Sequence, residues 1–507
     1  MSKIFILGMS PLPFENDKKV YGTGIRTWQF MLPLLEKGHK LCVCNYGIPS
    51  AYPEGIKSSF RKNFVYAENS KARDSLSVYS ASKGSSSIIE GDSKVCRYSF
   101  EYNVLVKDDF ENAELLSKIL LEFKPDCIVG CTFYPSFAAS KLAGGVPFWA
   151  DLFGHVMAEA QARAYIDEDD SCLFHYWNSE YSIVSSADIF SCVSSRQEYA
   201  LIGELGAAGR LNRHTSGYKF TCSIPCGIPQ EEYKHTKNVI RGKDGIESGD
   251  FVVLWTGGYN TWTDVDTLFK GLTLAMAKNP KIKFVSTGGE IPEQDIKTYP
   301  RFLSMIEGSP YRDRFVMRGW IAGEDVPNYY LEADLGINID KDRYEVRLGS
   351  KNRMLDWMRA GLCVLSSNIC ELTEIMDREK AGYVFKAGDP ENLSEKLLYL
   401  AANPDKVKTA AAAGKKYGFL KFNFGRTTKR LQKWVEDPTF SPDRGKDREI
   451  FFEKEEALKN LNQIVLEQKK MIDERERRIS ELEGIVQKSF TYKMYSYLKI
   501  IKRKIFK

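Results

Sequence analysis

Short apolar runs alternate with amphipathic helical stretches over most of the 507-residue chain. The first apolar run, residues 3–9, is followed by a helical pattern over residues 25–37 and by a second run at residues 40–45. This strand–helix–strand order predicts a parallel sheet covered by helices. The alternation continues to residue 229 and starts again at residue 251, after a polar, charged stretch. The pattern therefore predicts two α/β halves with a cleft between them, and ligands at the carboxyl ends of the strands.

The pattern changes after residue 440, where a heptad of apolar residues begins. One heptad position holds Phe451, Leu458, Val465, Ile472, Ile479 and Val486, and the paired position holds Leu461, Gln468, Arg475 and Leu482. The aliphatic column and its charged flanks favour a coiled coil over a surface helix. Because two of the paired residues are polar, the oligomeric state stays open, with a homo-oligomer and a partner protein as the candidates.

These patterns predict six segments along the chain. They are a first Rossmann-like domain at residues 1–229, a linker at 230–250, a second Rossmann-like domain at 251–435, a linker at 436–450, a coiled coil at 451–488 and a basic amphipathic tail at 489–507. Within the first domain, the stretch 55–100 is rich in Ser, Lys and Asn, and it predicts a long loop with short strands.

The basic residues are concentrated at the end of the chain. The formal net charge is +5, and residues 489–507 contain no acidic side chain but six Lys and Arg residues interleaved with Phe, Tyr, Leu and Ile. Such a segment is typical of a helix that lies on anionic lipid, where each cation contributes about 1 kcal/mol. A solvated helix end is the alternative. The remaining chain is near neutral, so we expect no nucleic-acid partner.

The eleven cysteines are scattered through apolar runs and form no CxxC pair. This usage predicts free thiols in a reducing cytosol and no metal site. The apolar run at the N-terminus breaks at Ser10-Pro11, so we interpret it as a strand and not as a signal peptide. Since no apolar stretch reaches about 18 residues, we expect a cytoplasmic protein that docks peripherally at the inner face of the cell membrane.

A second-half segment carries the most specific candidate chemistry. Gly349 and Ser350 open a predicted helix, whose free N–H groups and dipole make an anion site. Lys351 and Arg353 add positive charge beside it, as a nucleotide diphosphate requires. Asp356 lies two turns into the helix, on a face that could reach ribose hydroxyls. These residues predict a binding site for a nucleotide.

This segment resembles the signature of the family-4 retaining glycosyltransferases, which belong to the group 1 glycosyltransferases and have the GT-B fold. In that family one carboxylate opens the helix and a second, eight residues on, binds the ribose. The resemblance gives the second role to Asp356. The first carboxylate would fall on Leu348, and Glu345, three residues earlier, is the candidate that contacts the donor sugar instead. The resemblance implies an acceptor domain followed by a donor domain.

The start of the second domain extends the resemblance. Gly257 and Gly258 look like the family's glycine turn, where backbone amides approach the donor phosphates. The family's basic pair is missing there, since no Lys or Arg lies between Trp255 and Lys270. Lys351 and Arg353 would then have to balance the diphosphate. In the stretch that resembles the base pocket, Trp320 is a candidate contact to the base, with a core position as the alternative.

The first domain supplies further candidates. Gly22, Thr23 and Gly24 look like the family's N-terminal glycine loop, beside the donor phosphate and the acceptor. In the family a residue after a later strand contacts the transferred sugar, and Asp151 is the first candidate for that role. His155 is the second candidate, with a purely structural histidine as the alternative.

The resemblance implies a hexosyltransferase-type enzyme that moves a sugar from a nucleotide-sugar donor to a lipid-linked or surface-polysaccharide acceptor, with retention of configuration. It implies neither a metal ion nor a cofactor. The run 167–169 has the DxD form of metal-dependent glycosyltransferases, but it follows a helical pattern, so we interpret it as a solvated helix end. Two alternatives stay open: another enzyme on this fold, such as a sugar-nucleotide epimerase or a phosphorylase, and a catalytically weak scaffold that organises partner enzymes.

Overall fold

The computed structural model describes residues 1–15, 18–52, 54–69, 95–292, 294–446 and 449–505. Its contacts divide the chain into two units, of which the first comprises residues 1–207 and 211–444 and the second residues 208–210 and 445–507. Residues 70–94, which include much of the predicted Ser-rich loop, lie outside the described residues.

The first sheet of the large unit has eight strands among the described residues. They are β1 (Lys3–Ser10), β2 (Lys40–Gly47), β3 (Ser59–Asn69), β4 (Val95–Leu105), β5 (Cys127–Gly130), β6 (Phe148–Leu152), β7 (Ile189–Cys192) and β8 (Thr221–Ser223). Their order in space is β3-β4-β2-β1-β5-β6-β7-β8, and β3 alone among them runs antiparallel to its neighbour. The chain reverses its direction of winding between β1 and β5, and such a switch point opens a crevice at the strand ends.

Helices cover both faces of this sheet, which explains why its central strands are almost entirely apolar. They are α1 (Gly22–Glu36), α2 (Lys107–Glu111), α3 (Ala113–Phe123), α4 (Phe133–Ser140), α5 (Val156–Asp167), α6 (Leu173–Ser186) and α7 (Ser195–Ala207). The first helix begins one turn before the predicted start. Gly22, Thr23 and Gly24 therefore form its N-terminal turn and are not a separate loop.

The second sheet has six parallel strands among the described residues, in the Rossmann order β11-β10-β9-β12-β13-β14. The strands are β9 (Phe251–Thr256), β10 (Ile282–Thr287), β11 (Phe315–Met317), β12 (Leu335–Asn338), β13 (Cys363–Ser367) and β14 (Tyr383–Phe385). The helices are α8 (Val265–Lys278), α9 (Thr298–Glu307), α10 (Val326–Glu332), α11 (Tyr344–Leu348), α12 (Asn352–Ala360), α13 (Glu371–Arg378), α14 (Pro390–Ala402), α15 (Pro404–Lys421), α16 (Phe424–Thr427) and α17 (Lys429–Trp434). The predicted α/β fold with two Rossmann-like halves is confirmed.

The last two of these helices return to the first sheet. Phe424, Leu431 and Trp434 belong to the apolar core under β1 and β5, and the Trp434 ring lies 5.5 Å from that of Trp149. Residues 424–435 thus close the first domain, although the predicted boundary placed them in the second. Their apolar positions fit either sheet equally well, so sequence periodicity does not distinguish the two.

The predicted linker 230–250 is held along the second domain. Glu332 at the end of α10 accepts hydrogen bonds from the backbone N–H groups of Val239, Ile240 and Arg241 at 2.7–2.9 Å. The amide oxygen of Asn328 likewise accepts from the backbone of Thr236 at 2.8 Å. These side chains satisfy backbone groups that would otherwise need water, and the linker is ordered as a result.

The small unit contains two long helices, α18 (Glu449–Lys488) and α19 (Phe490–Ile505). The apolar heptad residues from Leu458 to Val486 are exposed along α18, so helices are present where a coiled coil is predicted, but the coiled coil is not confirmed. The side chain of Phe451 lies outside the described residues. In the described part of the chain, no helix is both long enough and apolar enough to cross a membrane.

Candidate functional site

A glycine turn follows the end of β9. Gly257 has a positive φ of +89°, which favours glycine. A Cβ atom on Gly258 would lie 2.3 Å from the Ile291 side chain, and one on Gly288 would lie 2.1 Å from the Gly257 carbonyl oxygen. Larger residues therefore do not fit at this turn. The N–H groups of Gly257 and Gly288 donate to the carbonyl oxygens of Thr287 and Gly319 at 2.8 and 2.6 Å, so the turn is tightly held at the switch point between β9 and β12.

Arg353 brings positive charge to this glycine turn from α12. Its guanidinium lies over the Trp255 ring at 4.1 Å, and its Nη2 donates to the Gly258 carbonyl oxygen at 3.3 Å. Burial lowers the pKa of Arg353, and its Nη1 is buried without a hydrogen-bond acceptor. A buried, unpaired N–H donor of a cation is costly, and an anionic ligand would satisfy it.

Lys351 is surrounded by carboxylates. Its Nζ lies 3.7 Å from Asp340 Oδ1 and 4.0 Å from Glu345 Oε1, and neither distance is short enough for a hydrogen bond. Burial lowers the pKa of Lys351, but these two carboxylates more than offset that effect and the pKa is raised. Lys351 is therefore a buried cation. The indole of Trp262 lies 5.2 Å from the same ammonium group.

Glu345 keeps one oxygen free beside this lysine. Its side chain is buried, and its Oε2 has no hydrogen-bond partner in the structure. Burial raises the pKa of Glu345, whereas Lys351 opposes that shift. A buried carboxylate oxygen without a donor is stabilised by a ligand hydroxyl. This position suits the role that the sequence assigned to Glu345 at the donor sugar.

The N-termini of two helices meet at the site. A Cβ atom on Gly22, the first residue of α1, would lie 3.0 Å from Nδ2 of Asn352, the first residue of α12. Gly24 packs so closely on the Pro11 carbonyl oxygen that a Cβ would lie 2.1 Å from it, and the buried Thr23 hydroxyl has no hydrogen-bond partner. Both helix ends present free N–H groups and the positive ends of their dipoles, which favour an anion between them.

Gly349 and Ser350 form the turn that links α11 to α12. Gly349 N–H donates to the Glu345 carbonyl oxygen at 2.9 Å, and a Cβ on this glycine would lie 2.7 Å from the same oxygen. The Ser350 hydroxyl contacts the buried Cys226 thiol of the first domain. The turn thus joins Glu345 on one side to Lys351 on the other, which brings these two side chains to the same point.

Asp356 and Trp320 lie in the second domain beyond the two cations. Tyr233 OH donates to Asp356 Oδ1 at 3.0 Å, and burial raises the pKa of Asp356 against the opposing effects of Arg359 and this tyrosine. Trp320 is 43% exposed, so it is not a core residue. The ammonium group of Lys19, from the first domain, lies 3.4 Å from its ring centroid. Both predicted residues are therefore accessible or half-buried, as ligand contacts need to be.

Asp151 is located away from the ligand-facing surface. The Arg26 guanidinium donates to both of its carboxylate oxygens, at 2.9 and 2.7 Å, and Ser191 Oγ donates to Oδ1 at 2.6 Å. The Asp151 and Arg26 side chains are fully buried. The strand β6 continues to Leu152, so Asp151 is a strand residue that packs inward. A direct contact to the sugar stays a prediction, and this burial does not favour it.

The chain is similar to known proteins in sequence and in structure. Residues 250–403 match the family model described as "Glycosyl transferases group 1". The curated relative "Putative glycosyltransferase YtcC" of Bacillus subtilis (strain 168) is 22% identical over 238 residues, which are 46% of this chain. The matched part spans 56% of the length of that relative.

Solved structures cover a larger share of the chain. A sucrose-phosphate synthase from Thermosynechococcus elongatus has a TM-score of 0.59 at 16% identity and covers 86% of this chain and 98% of its own. Anabaena HepE, in complex with UDP and glucose, has a TM-score of 0.57 at 12% identity and covers 86% of this chain and 100% of its own. An Escherichia coli structure described as trehalose-6-phosphate bound with UDP-2-fluoro glucose has a TM-score of 0.58 at 11% identity, with coverages of 87% and 100%.

The predicted resemblance to the group 1 glycosyltransferases is confirmed, and the chain has the GT-B fold. In this GT-B chain, the two Rossmann-like halves touch across the cleft. Ser195 N–H and Oγ of the first half donate to Glu371 of the second at 2.6 and 2.9 Å. Lys297 of the second half donates to the Ile166 carbonyl oxygen at 2.8 Å. The cleft is therefore closed in this structure.

His155 caps a helix of this GT-B chain. Its Nδ1 accepts a hydrogen bond from Ala158 N–H at 3.2 Å, and its Nε2 lies 3.1 Å from Glu204 Oε1. Burial lowers the pKa of His155, but Glu204 more than offsets it, so the pKa is raised. His155 also lines a groove beside the cleft. Its predicted contact to the sugar or the acceptor stays a prediction.

His155, Glu180 and Glu204 are the one group among the described residues that could together hold a metal ion. Because Nδ1 of His155 accepts the capping hydrogen bond, the ring proton sits on Nε2, where it faces Glu204. A metal-bound histidine needs a lone pair at that nitrogen and a proton on the other one. A metal ion on Nε2 would therefore need the other tautomer of His155 and would remove the hydrogen bond from Ala158 N–H.

Glu159 is a cleft residue that the sequence did not single out. It lies on the first turn of α5, and its pKa is raised to about 7, by burial first and then by the charge of Glu345 in the other half. Lys351 opposes this shift. The signal available in the sequence was its position in a helix that follows the end of β6. Its closeness to Glu345 depends on how the two halves meet.

Proposed function

We propose that this protein is a glycosyltransferase that moves a hexose from a nucleotide-sugar donor to a lipid-linked or surface-polysaccharide acceptor, with retention of configuration. One observation carries the proposal: Lys351, Arg353, the glycine turn at Gly257 and the ends of α1 and α12 converge on one point. Such a point suits a diphosphate. The solved GT-B proteins that hold UDP, UDP-glucose or a fluorinated UDP-glucose add support.

The residues suggest how transfer would proceed. Lys351, Arg353 and the helix N-termini stabilise the diphosphate as it leaves, and this electrostatic term is the main contribution that such a site can make. The free oxygen of Glu345 accepts a hydrogen bond from a hydroxyl group of the donor sugar and so fixes the position of the sugar ring. Asp356 accepts hydrogen bonds from the ribose hydroxyl groups, and Trp320 contacts the base. Since the two cations supply the positive charge, we expect the reaction to need neither a metal ion nor a cofactor.

The small unit suggests where the acceptor is found. Along α19, cations at Lys493, Lys499 and residues 502–504 alternate with exposed aromatic and aliphatic side chains. A helix of this kind binds at the surface of an anionic membrane. We therefore propose that the protein acts in the cytoplasm, at the inner face of the membrane that carries the acceptor. The exposed heptad of α18 would pair with a second copy or with a partner protein.

A nucleotide titration tests the donor site. Thermal shift and calorimetry with UDP-, GDP-, ADP- and dTDP-sugars, each with and without EDTA, should show stabilisation by one nucleotide class, unchanged by EDTA. Asp356→Ala should weaken that binding by about 10- to 100-fold, the equivalent of one or two hydrogen bonds to a charged group. Asp377→Ala, on the exposed surface of α13, is the matched control.

Two outcomes would count against the proposal. Equal nucleotide affinity of Asp356→Ala and the wild type would remove the ribose role of Asp356. Failure of every nucleotide sugar to bind would favour the scaffold alternative. Interconversion of the nucleotide sugar without an acceptor would instead identify an epimerase.

A further inference from the structure

A large groove opens beside the donor site. It has a volume of about 1090 Å³ and is lined by α5, the loop that joins α5 to α6, α11 and Lys297. Its walls come from both halves of the GT-B fold, so the groove exists only when the cleft is closed. Met157, Ile166 and Leu173 make part of its floor apolar.

Two exposed tyrosines line the groove, one on each side. Tyr165 near the end of α5 and Tyr344 at the start of α11 are each 67% exposed. The Arg343 guanidinium lies 4.6 Å from the centre of the Tyr165 ring and holds it in place. Exposed aromatic rings that are held at the wall of a groove offer flat apolar faces to a ligand.

The charged groups of the groove are mainly acidic. Glu168, Asp169 and Asp170 line it together with one cation, Lys297, whose ammonium group already donates to the Ile166 carbonyl oxygen at 2.8 Å. With the guanidinium of Arg343, which lies on Tyr165 at the wall, three carboxylates less two cations leave a charge of −1. Asp169 uses its oxygens to accept from the backbone and hydroxyl of Ser171, and each oxygen keeps a further lone pair. This wall repels a phosphate or a carboxylate and accepts hydrogen bonds from hydroxyl groups.

The inner end of the groove reaches the donor site. Tyr344 and Leu348 face the groove from the same short helix that carries Glu345, and Leu348 directly precedes the turn to Lys351. A ligand that fills the groove therefore ends within one helical turn of the residues assigned to the donor sugar. This continuity makes the occupant of the groove the acceptor of the proposed transfer.

We propose that the groove binds an uncharged saccharide, which is the sugar end of the acceptor. A sugar ring has apolar C–H faces that pack on tyrosine rings and hydroxyl groups that donate to carboxylates, and the groove offers both partners. A lipid diphosphate headgroup would meet the acidic wall instead. This inference rests on the proposed function and names the acceptor class for the same cleft.

Binding to a printed array of uncharged and anionic glycans tests the inference. The full-length protein, saturated with the nucleotide that binds in the thermal-shift screen, is compared with Tyr165→Ala and with Tyr199→Ala, in which another exposed tyrosine is removed from α7, outside the groove. We expect the wild type to bind an uncharged glycan. Tyr165→Ala should weaken that binding about tenfold, as expected for the loss of one stacked ring, and Tyr199→Ala should leave it unchanged.

Several results would overturn the inference. They are binding only to glycans with phosphate or carboxylate groups, equal binding by Tyr165→Ala and the wild type, and no binding to any glycan. Calorimetric titrations with UDP, GDP, ADP and dTDP separate these failures from failure of the proposed function. If one nucleotide binds and no uncharged glycan does, the saccharide groove is wrong and the transferase proposal stands. If none of the four nucleotides binds, the transferase proposal fails, whereas the effect of Tyr165→Ala on glycan binding still tests the groove.

Discussion

The buried ion pair of Arg26 and Asp151 allows a test of the role of Asp151. The sequence suggested that Asp151 contacts the transferred sugar, whereas the structure pairs it with a buried guanidinium. Both side chains have zero exposure, and the guanidinium donates two hydrogen bonds to the carboxylate. Burial lowers the pKa of Arg26, but Asp151 more than offsets this, so the pKa is raised. Asp151→Asn keeps the shape and the hydrogen bond from Ser191 but leaves a buried guanidinium without its counter-charge.

The magnitude follows from this uncompensated charge. Breaking one partner of a buried ion pair costs about 3–5 kcal/mol, whereas replacing both partners by neutral groups costs much less. We therefore expect Asp151→Asn and Arg26→Gln each to lower the free energy of unfolding by about 3–5 kcal/mol. In the double variant the loss should be smaller than the sum, with a coupling of about 2 kcal/mol.

Urea unfolding followed by tryptophan fluorescence measures these losses. The control is Glu436→Gln, which removes an ion pair of 2.9 Å with Lys37 and should leave the free energy of unfolding almost unchanged, because both side chains are in contact with solvent. The double variant then separates structure from catalysis. If Asp151 is structural, the folded double variant hydrolyses the donor at close to the wild-type rate. Additive losses of stability, or a folded double variant that has lost its activity, would refute the reasoning.

Two further predictions concern Glu159 and the tail. Because the pKa of Glu159 is raised, its contribution to the stability of the folded state is complete below its ordinary pKa of 4.5 and is lost as the pH rises through about 7. Glu159→Gln should therefore raise the melting temperature relative to the wild type more at pH 8 than at pH 5. An equal effect at both pH values would contradict this. Replacing the three cations of residues 502–504 by Gln should weaken binding to anionic liposomes about 100-fold, because each cation contributes about 1 kcal/mol. The control replaces the three arginines of residues 475–478 by Gln and should have a smaller effect. Similar losses of binding in both variants would argue against a docking tail.

The fold was predictable because periodicity reports burial. In β1 and β9 the apolar runs are covered on both faces, and the glycine turn after β9 marks the strand end. Helix limits were less predictable at the site itself. The first turn of α1 contains two glycines, which disfavour a helix by propensity, but Gly24 is needed there because it packs on the Pro11 carbonyl oxygen. A tertiary contact overrides local preference at that point.

The candidate site was predictable where its residues are close in sequence and not where they meet through the fold. Lys351, Arg353 and Asp356 belong to one helix and the turn before it, so their spacing alone brings them to one region. Asp151 was placed at the ligand because it lies near the end of a strand. Its inward direction is decided by Arg26, which is 125 positions earlier in the chain. Glu159 was missed for the same reason, since its partner Glu345 is in the other half.

Both departures from the family pattern are compensated in space. The basic pair that the family has after the first strand of the donor domain is missing, but Arg353 reaches the same glycine turn from α12 and leaves one N–H donor free. The carboxylate expected at Leu348 is missing as well. Glu345 stays the candidate for its role, because the short helix α11 and the turn at Gly349 bring its Oε1 to 4.0 Å from Lys351 Nζ and leave its Oε2 without a hydrogen-bond partner. The same two departures are the sequence features that favour a scaffold with a degenerate cleft. Because Arg353 lies at the glycine turn and Glu345 lies beside Lys351, nucleotide binding is the measurement that decides between the two functions.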